Sequence, residues 1–403
     1  MTGSIGNIDI ASGLQFRDES FDVARGASSI ATFDAAGNIT QPADLLFLGG
    51  GLESTASRNA TALFVEGSMN ASDRLEIKGA LRYEDLESDS SVDPKIAFRY
   101  QASDELALRA SFSTSFREAS LAQLTSTNIS LQGIQDYNAD GSAKGGTAFI
   151  RIAQANNPNL APEESENMNI GAIWNPTDKL AMKLDYWAID YTNVITIESA
   201  QGKVSANPLD PDVKRTAGGT LTGVTTKYFN AANVNTSGLD FESTYDFDTS
   251  WGQAQVGVNM MHMFEYEIPV GNTTKDVVGL FNHDNFARSL PDTKAVFHAA
   301  LNSGQNSLSL FGRYTGDYKT TRPLDATATA RGFSQSIDSF FTVDLMNSYI
   351  VEMSDSELKL SLGITNMFDE EVPLVYDAAN WSYDAKHHDP RGRMIYLGFK
   401  LSR

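Results

Sequence analysis

The 403-residue chain carries 31 Lys and Arg residues against 51 Asp and Glu residues, which gives a formal net charge of −20. This acidic balance argues against nucleic-acid binding, because phosphate recognition requires clustered basic side chains. The chain contains no cysteine, which excludes a disulfide scaffold, a thiol enzyme and a cysteine-ligated metal site. Its apolar runs are much shorter than the roughly 18–20 residues of a membrane-spanning helix, although the strands of a membrane barrel remain compatible with the composition.

Period-two alternation in segments of about ten residues is the dominant pattern of the chain. In 75–84 the apolar residues occupy the odd positions, and Glu76, Lys78 and Arg82 lie among the even ones. Clear or weaker forms of the same pattern predict about fourteen strands. These lie at 4–17, 61–70, 75–84, 95–101, 106–113, 166–174, 180–190, 238–247, 254–266, 294–301, 307–315, 340–351, 358–365 and 394–401.

The predicted connections alternate between short and long. Short polar turns, such as 70–73, 101–104 and 175–178, join some strands. The long connections lie at 18–58, 85–94, 115–163, 192–230, 267–290, 317–337 and 369–390. Tight turns at one end of a sheet and long loops at the other are typical of outer-membrane barrels, where the turns are periplasmic and the loops extracellular. The pattern therefore predicts an all-β, transmembrane, antiparallel up-and-down β-barrel.

The distribution of aromatic and charged residues supports this interpretation. Aromatic residues favour the headgroup level of a bilayer, and they gather at both predicted ends of the strands: Tyr100, Trp174, Tyr245, Phe247, Trp251 and Tyr349 at the short-turn end, and Phe112, Tyr186, Tyr191, Phe264, Tyr266 and Tyr314 at the long-loop end. A Lys or Arg facing lipid near the midplane would cost about 2–4 kcal/mol. We therefore expect a watery lumen to be lined by Glu76, Lys78, Arg82, Arg99, Arg109, Asp240, Glu242 and Arg313.

A soluble all-β protein also alternates, but about fourteen strands would enclose a barrel too wide for side chains to fill. From about residue 60 onward the chain also carries an ordered series of motifs. They are LFVE (63–66), LRYE (81–84), DPKI (93–96), RASFSTSFREASL (109–121), NPNLAPE (157–163), DYWAIDYTNVI (185–195), NVNTSGLDFE (233–242), LGITNMFD (362–369) and GRMIYLG (392–398). Together, in this order and spacing, these motifs resemble the C-terminal β-barrel of TonB-dependent receptors, which are outer-membrane transporters.

The resemblance implies a barrel of about 22 strands with a plugged lumen, of which about fourteen are visible in this chain. Residues 1–403 are accordingly expected to be the C-terminal part of the barrel, with the signal peptide, the TonB box and the plug domain absent. Such a fragment is expected to be inactive alone.

The function implied by the resemblance is TonB-energised uptake of a scarce nutrient across the outer membrane of a Gram-negative bacterium. The substrate would be a siderophore–iron chelate, cobalamin, or an oligosaccharide or peptide. The implied partners are outer-membrane lipid, the TonB complex (through the plug region of the intact protein), the barrel-assembly machinery and a small-molecule or metal-chelate substrate. No cofactor is expected. Two alternatives remain open: a complete fourteen-stranded passive diffusion channel, and a soluble or surface-attached β-protein acting as a binding module.

Long loops carry function on such scaffolds, so candidate ligand-contacting residues are sought there. They are Trp381, Tyr383, His387 and His388 in the last long loop, with Tyr137 and Phe149 in the longest one. Adjacent histidines in a polar loop are usually solvated, and for His387 and His388 this is the favoured interpretation, with ligand or metal contact as its alternative. No nucleophile–base constellation and no phosphate loop is present, so the sequence does not predict an enzyme.

The stretch Met260-Met261-His262-Met263 suggests a copper site, because thioether and imidazole groups are suitable copper ligands. On a strand, however, Met261 and Met263 lie on one face and His262 on the other. Three ligands cannot converge in that arrangement. We therefore predict side-chain packing near the barrel rim rather than a metal site.

Overall fold

The computed structural model describes residues 1–26, 32–36, 39–41, 52–86, 89–231, 233–270, 273–281, 289–322, 324, 326–376 and 382–402. The first strands in chain order are β1 (Thr2–Ile5), β2 (Ile8–Val23), β3 (Thr32–Phe33), β4 (Ile39–Gln41), β5 (Ser54–Ser72), β6 (Leu75–Asp85), β7 (Ser90–Gln101), β8 (Leu106–Arg117), β9 (Asn128–Tyr137), β10 (Ala143–Ala155), β11 (Glu163–Thr177), β12 (Leu180–Thr192), β13 (Ile195–Ile197) and β14 (Val213–Arg215). They are followed by β15 (Leu221–Asn230), β16 (Val234–Thr249), β17 (Gly252–Val270), β18 (Thr273–Asp276), β19 (Leu280–Phe281), β20 (Ser289–Leu290), β21 (Thr293–Ser303), β22 (Asn306–Thr315), β23 (Tyr318–Thr320), β24 (Ser336–Ile337), β25 (Phe340–Met353), β26 (Ser356–Thr365) and β27 (Met394–Ser402). The helices are α1 (Leu121–Thr125), α2 (Ala200–Ala206) and α3 (Ala326–Ala330).

One large antiparallel sheet forms the wall of the molecule. Its hydrogen-bonded order is β1-β2-β5-β6-β7-β8-β11-β12-β16-β17-β21-β22-β25-β26-β27, with β18 paired to the end of β17. Each strand pairs with the wall strand that precedes it in sequence, so the predicted up-and-down arrangement is confirmed. Every predicted segment from 61–70 onward lies within one strand of this wall.

One predicted strand and one predicted connection differ from the structure. The segment 4–17 is not one strand, because a turn at Gly6 and Asn7 divides it into the hairpin of β1 and β2. Gly6 has a φ of +64°, a conformation that glycine adopts without the steric cost of a side chain. The connection predicted to be long at 85–94 is also short, since β6 ends at Asp85 and β7 begins at Ser90.

The two faces of the wall differ in chemistry as the alternation predicts. On the outer face large apolar side chains are exposed, with Leu63 at 56% and Leu397 at 70% of their full accessible area. On the inner face charged side chains form ion pairs, both across strands and along one strand. For example, Arg17 on β2 reaches over β5 to Glu84 on β6 at 2.9 Å between Nη2 and Oε1, and Lys78 lies 3.0 Å from Glu76. Apolar residues outside and ion pairs inside reverse the arrangement of a water-soluble protein.

Five of the long connections, those predicted at 115–163, 192–230, 267–290, 317–337 and 369–390, are not irregular loops, because their described residues fold into two packed clusters. The first loop cluster consists of the described residues of 118–162 and 193–233. It contains the strand order β13-β15-β10-β9, with β14 also on β15. The pairing of β10 with β15 is parallel and joins the two connections. Helix α2 closes a core formed by Ile134, Ile150, Ile152, Ala200, Val204, Val213, Leu221 and Val224.

The second loop cluster consists of the described residues of 267–292, 316–339 and 366–393. Its strand order is β20-β19-β23-β24. All three connections contribute to its core, which is formed by Phe281, Tyr318, Ile337 and Val375. Tyr266 was predicted among the aromatic residues at the headgroup level of the long-loop end. It packs instead against Ile268 and Val277 in a neighbouring small core. No helix in the described part of the chain is long and apolar enough to cross a membrane.

The sidedness of the wall yields the first prediction. Ile96 lies on the outer face of β7 and is 43% exposed, whereas Ala97 lies on the inner face, in register with Lys78 and Ser111. In phospholipid vesicles, Ile96→Lys should lower the free energy of unfolding by about 2–4 kcal/mol, because the ammonium group would face hydrocarbon. Urea titration of both variants provides the measurement, and Ala97→Lys is the matched control with little expected effect. Equal losses for the two variants would contradict the assigned faces.

Candidate functional site

Two adjacent rows of inner-face side chains form one wall of a large cavity. In each row, the residues are register partners on β12, β16, β17, β21, β22 and β25. The first row is Asp185, Asp240, Met261, Lys294, Thr315 and Phe340, and the second is Lys183, Glu242, Asn259, Val296, Arg313 and Thr342. The cavity has a volume of about 830 Å³. Because side chains two positions apart on a strand share a face, the alternation seen in the sequence places all twelve residues together.

The second loop cluster supplies another wall of this cavity. His387, Asp389, Arg391 and Gly392 line it from the last long connection. The cavity is therefore bounded by the inner face of the sheet and by a folded loop.

An ion pair fixes one edge of the site. The Asp185 side chain is 4% exposed, and it accepts hydrogen bonds from Nε and Nη2 of Arg109, two strands away, with 2.7 Å between Nε and Oδ1. Gly171 lies between them on β11, where a Cβ atom would overlap the Asp185 carboxylate. Glycine at this position lets the carboxylate lie across the strand. A planar guanidinium bound to both carboxylate oxygens holds Asp185 in one orientation.

Four charged side chains in the two rows have no such partner. Among the described residues, Lys183, Asp240, Glu242 and Lys294 form no ion pair, whereas Arg313 pairs with Asp344 and Arg391 with Asp389. Asp240 and Glu242 lie together on β16, and Lys294 and Arg313 lie on the neighbouring strands β21 and β22. The cavity thus has an acidic side and a basic side. Unpaired charges facing a cavity are free to bind a molecule of complementary charge.

A buried polar network stands behind the loop wall. The Asp384 side chain is 3% exposed, and its Oδ2 accepts hydrogen bonds from the hydroxyls of Ser289 and Tyr318, the latter at 2.8 Å. His388 Nε2 lies 3.1 Å from the Tyr318 hydroxyl oxygen, and His387 Nε2 lies 3.1 Å from the carbonyl oxygen of Ser289.

These contacts assign the tautomers of both histidines. The single hydroxyl hydrogen of Tyr318 is used by Asp384, so the hydrogen between Tyr318 and His388 must come from Nε2 of His388. His387 must likewise donate from Nε2, since a carbonyl oxygen can only accept. The Nδ1 atoms of both rings are then unprotonated, and neither has a partner in the described part of the chain.

Burial controls the ionisation of this network. It lowers the pKa of His388 from 6.5 to about 4, against the opposing attraction of Asp384. Burial also lowers the pKa of His387. The pKa of Tyr318 is raised by burial and further by the Asp384 carboxylate. Near neutral pH both histidines are therefore neutral and Tyr318 keeps its proton.

The predicted ligand-contacting residues are scattered by the fold. His387 lines the cavity, but His388 is 4% exposed and lies behind the wall. The expectation of solvated histidines is therefore wrong for His388, which the surrounding loops bury. His387 is half-buried at the cavity. Tyr383 is half-buried in the same segment without lining the cavity. The prediction for Trp381 lies outside the described residues.

The two candidates in the longest loop lie in the first loop cluster. Tyr137 packs against the core of that cluster, and the Phe149 side chain is 68% exposed. Neither lines the cavity described above. Ligand contact by these aromatic residues stays a prediction.

Met261 and His262 of the methionine-rich stretch lie on opposite faces of β17. Met261 lines the cavity, while His262 stacks edge-on against Phe264 on the opposite face of β17. Across the residues described by the structure, no group of three or more His, Cys, Asp or Glu side chains is placed to hold a metal ion.

Several cavity residues were not singled out by the sequence. Asp240, Glu242 and Arg313 were expected to face a lumen, but Lys183, Asp185 and Lys294 were not. Their positions in period-two segments were the available signal. Alternation predicts on which face of its own strand a side chain lies. It does not predict which residues of other strands are its neighbours.

An antiparallel up-and-down wall, apolar outside and charged inside, with short turns at one end and folded loops at the other, defines an outer-membrane type of β-barrel. The family model described as TonB dependent receptor-like, beta-barrel matches residues 2–367. The chain belongs to this family. Barrels of this family lie in the outer membrane of Gram-negative bacteria. They are transporters and receptors rather than enzymes.

Solved structures with the same fold include three receptors. A mutant of the ferric enterobactin receptor PfeA from Pseudomonas aeruginosa, in complex with enterobactin, matches with a TM-score of 0.68 and 16% identity over 100% of this chain and 53% of that one. The siderophore receptor PirA from Acinetobacter baumannii matches with a TM-score of 0.63 and 15% identity over 97% and 52%. The FrpB iron transporter from Neisseria meningitidis matches with a TM-score of 0.55 and 12% identity over 99% and 53%.

At these identities the similarity establishes the fold alone. The chain spans about half the length of each of these structures. A comparison with curated protein sequences found no match.

The glycine beneath the Arg109–Asp185 pair yields a second prediction. Gly171→Ala should displace the Asp185 carboxylate and destabilise the wall by about 1–3 kcal/mol, the usual cost of forcing an atom into an occupied space. Gly79→Ala is the matched control, because a Cβ atom there meets nothing within 4 Å. Urea unfolding of both variants is the measurement. If Gly171→Ala proved as stable as the control, the close approach of Asp185 would be refuted.

The third prediction concerns acid pH. Because the pKa of His388 is about 4 in the fold and 6.5 when exposed, the unfolded loop binds a proton first as the pH falls. Stability of the second loop cluster should be complete above pH 6.5 and decline by about 3 kcal/mol as the pH approaches 4. Lys294 and His387 oppose the added charge, whereas Asp384 favours it.

Amide hydrogen exchange in 318–320 and 336–337, corrected for the intrinsic effect of pH, would follow this loss. His388→Gln keeps a side-chain donor and cannot titrate in this range, so most of the pH dependence should disappear in that variant. An identical dependence in both proteins would show that another group is responsible.

Proposed function

We propose that this chain is the barrel portion of a TonB-dependent receptor that takes up an iron–siderophore chelate across the outer membrane. The observation that carries the proposal is the cavity, in which Lys294 stands unpaired beside Arg313 at the wall formed by β21 and β22. Catecholate chelates of Fe³⁺ carry net negative charge, and cationic side chains bind such anions through charge-assisted hydrogen bonds. The ferric enterobactin receptor and the siderophore receptor of the same fold support this choice of substrate class.

We further propose that residues 1–403 act as part of a longer receptor, which contacts the TonB complex through a plug region. In the described residues β1 and β27 each have a partner on one side only, and unpaired strand edges are unfavourable in lipid. The barrel-assembly machinery and outer-membrane lipid are its remaining expected partners. Expressed by themselves, residues 1–403 should therefore not support energised uptake.

Disruption of the gene in its bacterium tests the proposed uptake. Loss of uptake of a radiolabelled ferric catecholate, restored by the intact gene and not by a segment encoding residues 1–403, is the expected result. If disruption instead abolished uptake of cobalamin, an oligosaccharide or a peptide, the proposed substrate class would be wrong, while the assignment as a TonB-dependent receptor would stand. Uptake by residues 1–403 alone, or a TonB-independent current through them in a planar bilayer, would favour a passive channel.

A substitution in the cavity provides the fourth prediction. Lys294→Gln, made in the intact gene, should weaken binding of an anionic ferric chelate about tenfold or more, because a hydrogen bond to a charged group contributes about 1.5–3 kcal/mol. Lys359→Gln is the control, since Lys359 lies on the inner face of β26 and does not line the cavity. Fluorescence quenching by a titrated chelate gives both affinities. Similar affinities of the two variants for the chelate would show that Lys294 does not contact it.

A further inference from the structure

Asp384 connects three different loops at one buried point. Ser289 belongs to the connection before β21, Tyr318 to the connection after β22, and Asp384 to the connection after β26. The two hydroxyls share Oδ2 of Asp384, while Oδ1 accepts the backbone N–H of Lys386 at 3.0 Å. A single carboxylate thus holds its own loop in a turn and binds both neighbouring loops.

The apolar core of the second loop cluster is too small to order these loops by itself. Burial of its four side chains stabilises the cluster, whereas fixing the backbone of every ordered residue costs conformational entropy. The three connections contain many more ordered residues than the core contains side chains. Polar contacts must therefore contribute to holding the loops together.

The network behaves as one unit because the Tyr318 hydroxyl donates a hydrogen bond to Asp384 and accepts one from His388. If the Tyr318 hydroxyl were removed, Asp384 would lose a donor and the Nε2–H group of His388 would lose its acceptor. A buried polar group left without its partner is destabilising. Removal of the Tyr318 hydroxyl therefore breaks both of these contacts between its own loop and the last connection.

We propose that Asp384 is a positioning residue: together with Tyr318 and His388 it joins the three loops into one rigid cover, and so fixes His387, Asp389 and Arg391 at the cavity. The cover is preformed and does not assemble around a substrate. Its existence does not depend on which molecule is bound, and only its use in uptake rests on the proposed function.

The absence of cysteine from the chain allows a direct test with pairs of spin labels. Arg331→Cys and Lys386→Cys place labels at exposed positions on two of the three loops. Asp355→Cys, in the short turn between β25 and β26, provides a reference on the barrel wall. Pulsed electron paramagnetic resonance then measures two distances: between the labels at positions 331 and 386 within the cover, and between those at positions 355 and 386, which join the wall and the cover.

Each pair should give one narrow distance in the otherwise unchanged chain. Tyr318→Phe keeps the ring within the core and removes only the hydroxyl, so loss of the single narrow distance is expected for both pairs. Asp384→Asn should act in the same direction. Tyr137→Phe is the matched control, because the Tyr137 hydroxyl makes no hydrogen bond in the described part of the chain and belongs to the first loop cluster.

Two results would overturn the proposal. The unchanged chain could already show broad distances, or Tyr318→Phe and Asp384→Asn could both keep narrow ones. If Tyr318 merely added stability, its variant would unfold at lower urea concentration while both native distances stayed narrow. Because these measurements need no substrate, failure of the proposed uptake would leave them unaffected.

Discussion

The wall of this protein depends on the rule that a spanning backbone must satisfy its own hydrogen bonds. In hydrocarbon, N–H and C=O groups have no water to bind, so each strand must pair with its neighbours along its length. Side chains then have only two directions available, and a shift of register by one residue would exchange lipid-facing and water-facing sets. The ion pairs of Arg17 and Arg109 on the inner face and the exposed Leu63 and Leu397 outside all follow from one continuous register.

The same register creates the cavity. When strands pair without slipping, inner-face residues of successive strands stand in rows, and the charges of β12 to β25 meet although they are far apart in sequence. Small residues are required where a side chain must cross a strand. Gly171 meets this requirement for Asp185, and Gly238 meets it for Trp187, whose ring occupies the space of a Cβ atom at that position.

The loops obey a different balance. The described residues of the connections in the two loop clusters pack against one another. In the first loop cluster the bidentate pair of Arg215 and Asp136, with 2.6 Å between Nη2 and Oδ1, accompanies an apolar core. In the second, the Asp384 network has the same role. The molecule therefore presents folded lobes rather than independent loops around the cavity, and one of these lobes supplies part of its wall.

The strands, their up-and-down order and their two faces could be predicted from the sequence, because alternation is a property of neighbouring residues within one strand. The prediction failed at 4–17, where the local pattern continues through the turn at Gly6, and at His388, whose polar surroundings in sequence indicated exposure. The cavity could not be predicted in this way, because Lys294 stands beside Met261 and Thr315 through strand pairing. The burial of His388 among groups from other loops likewise comes from the tertiary structure alone. Period-two patterning fixes the direction of a side chain, but its neighbours are set by hydrogen-bonded register and loop packing between segments that share no local signal.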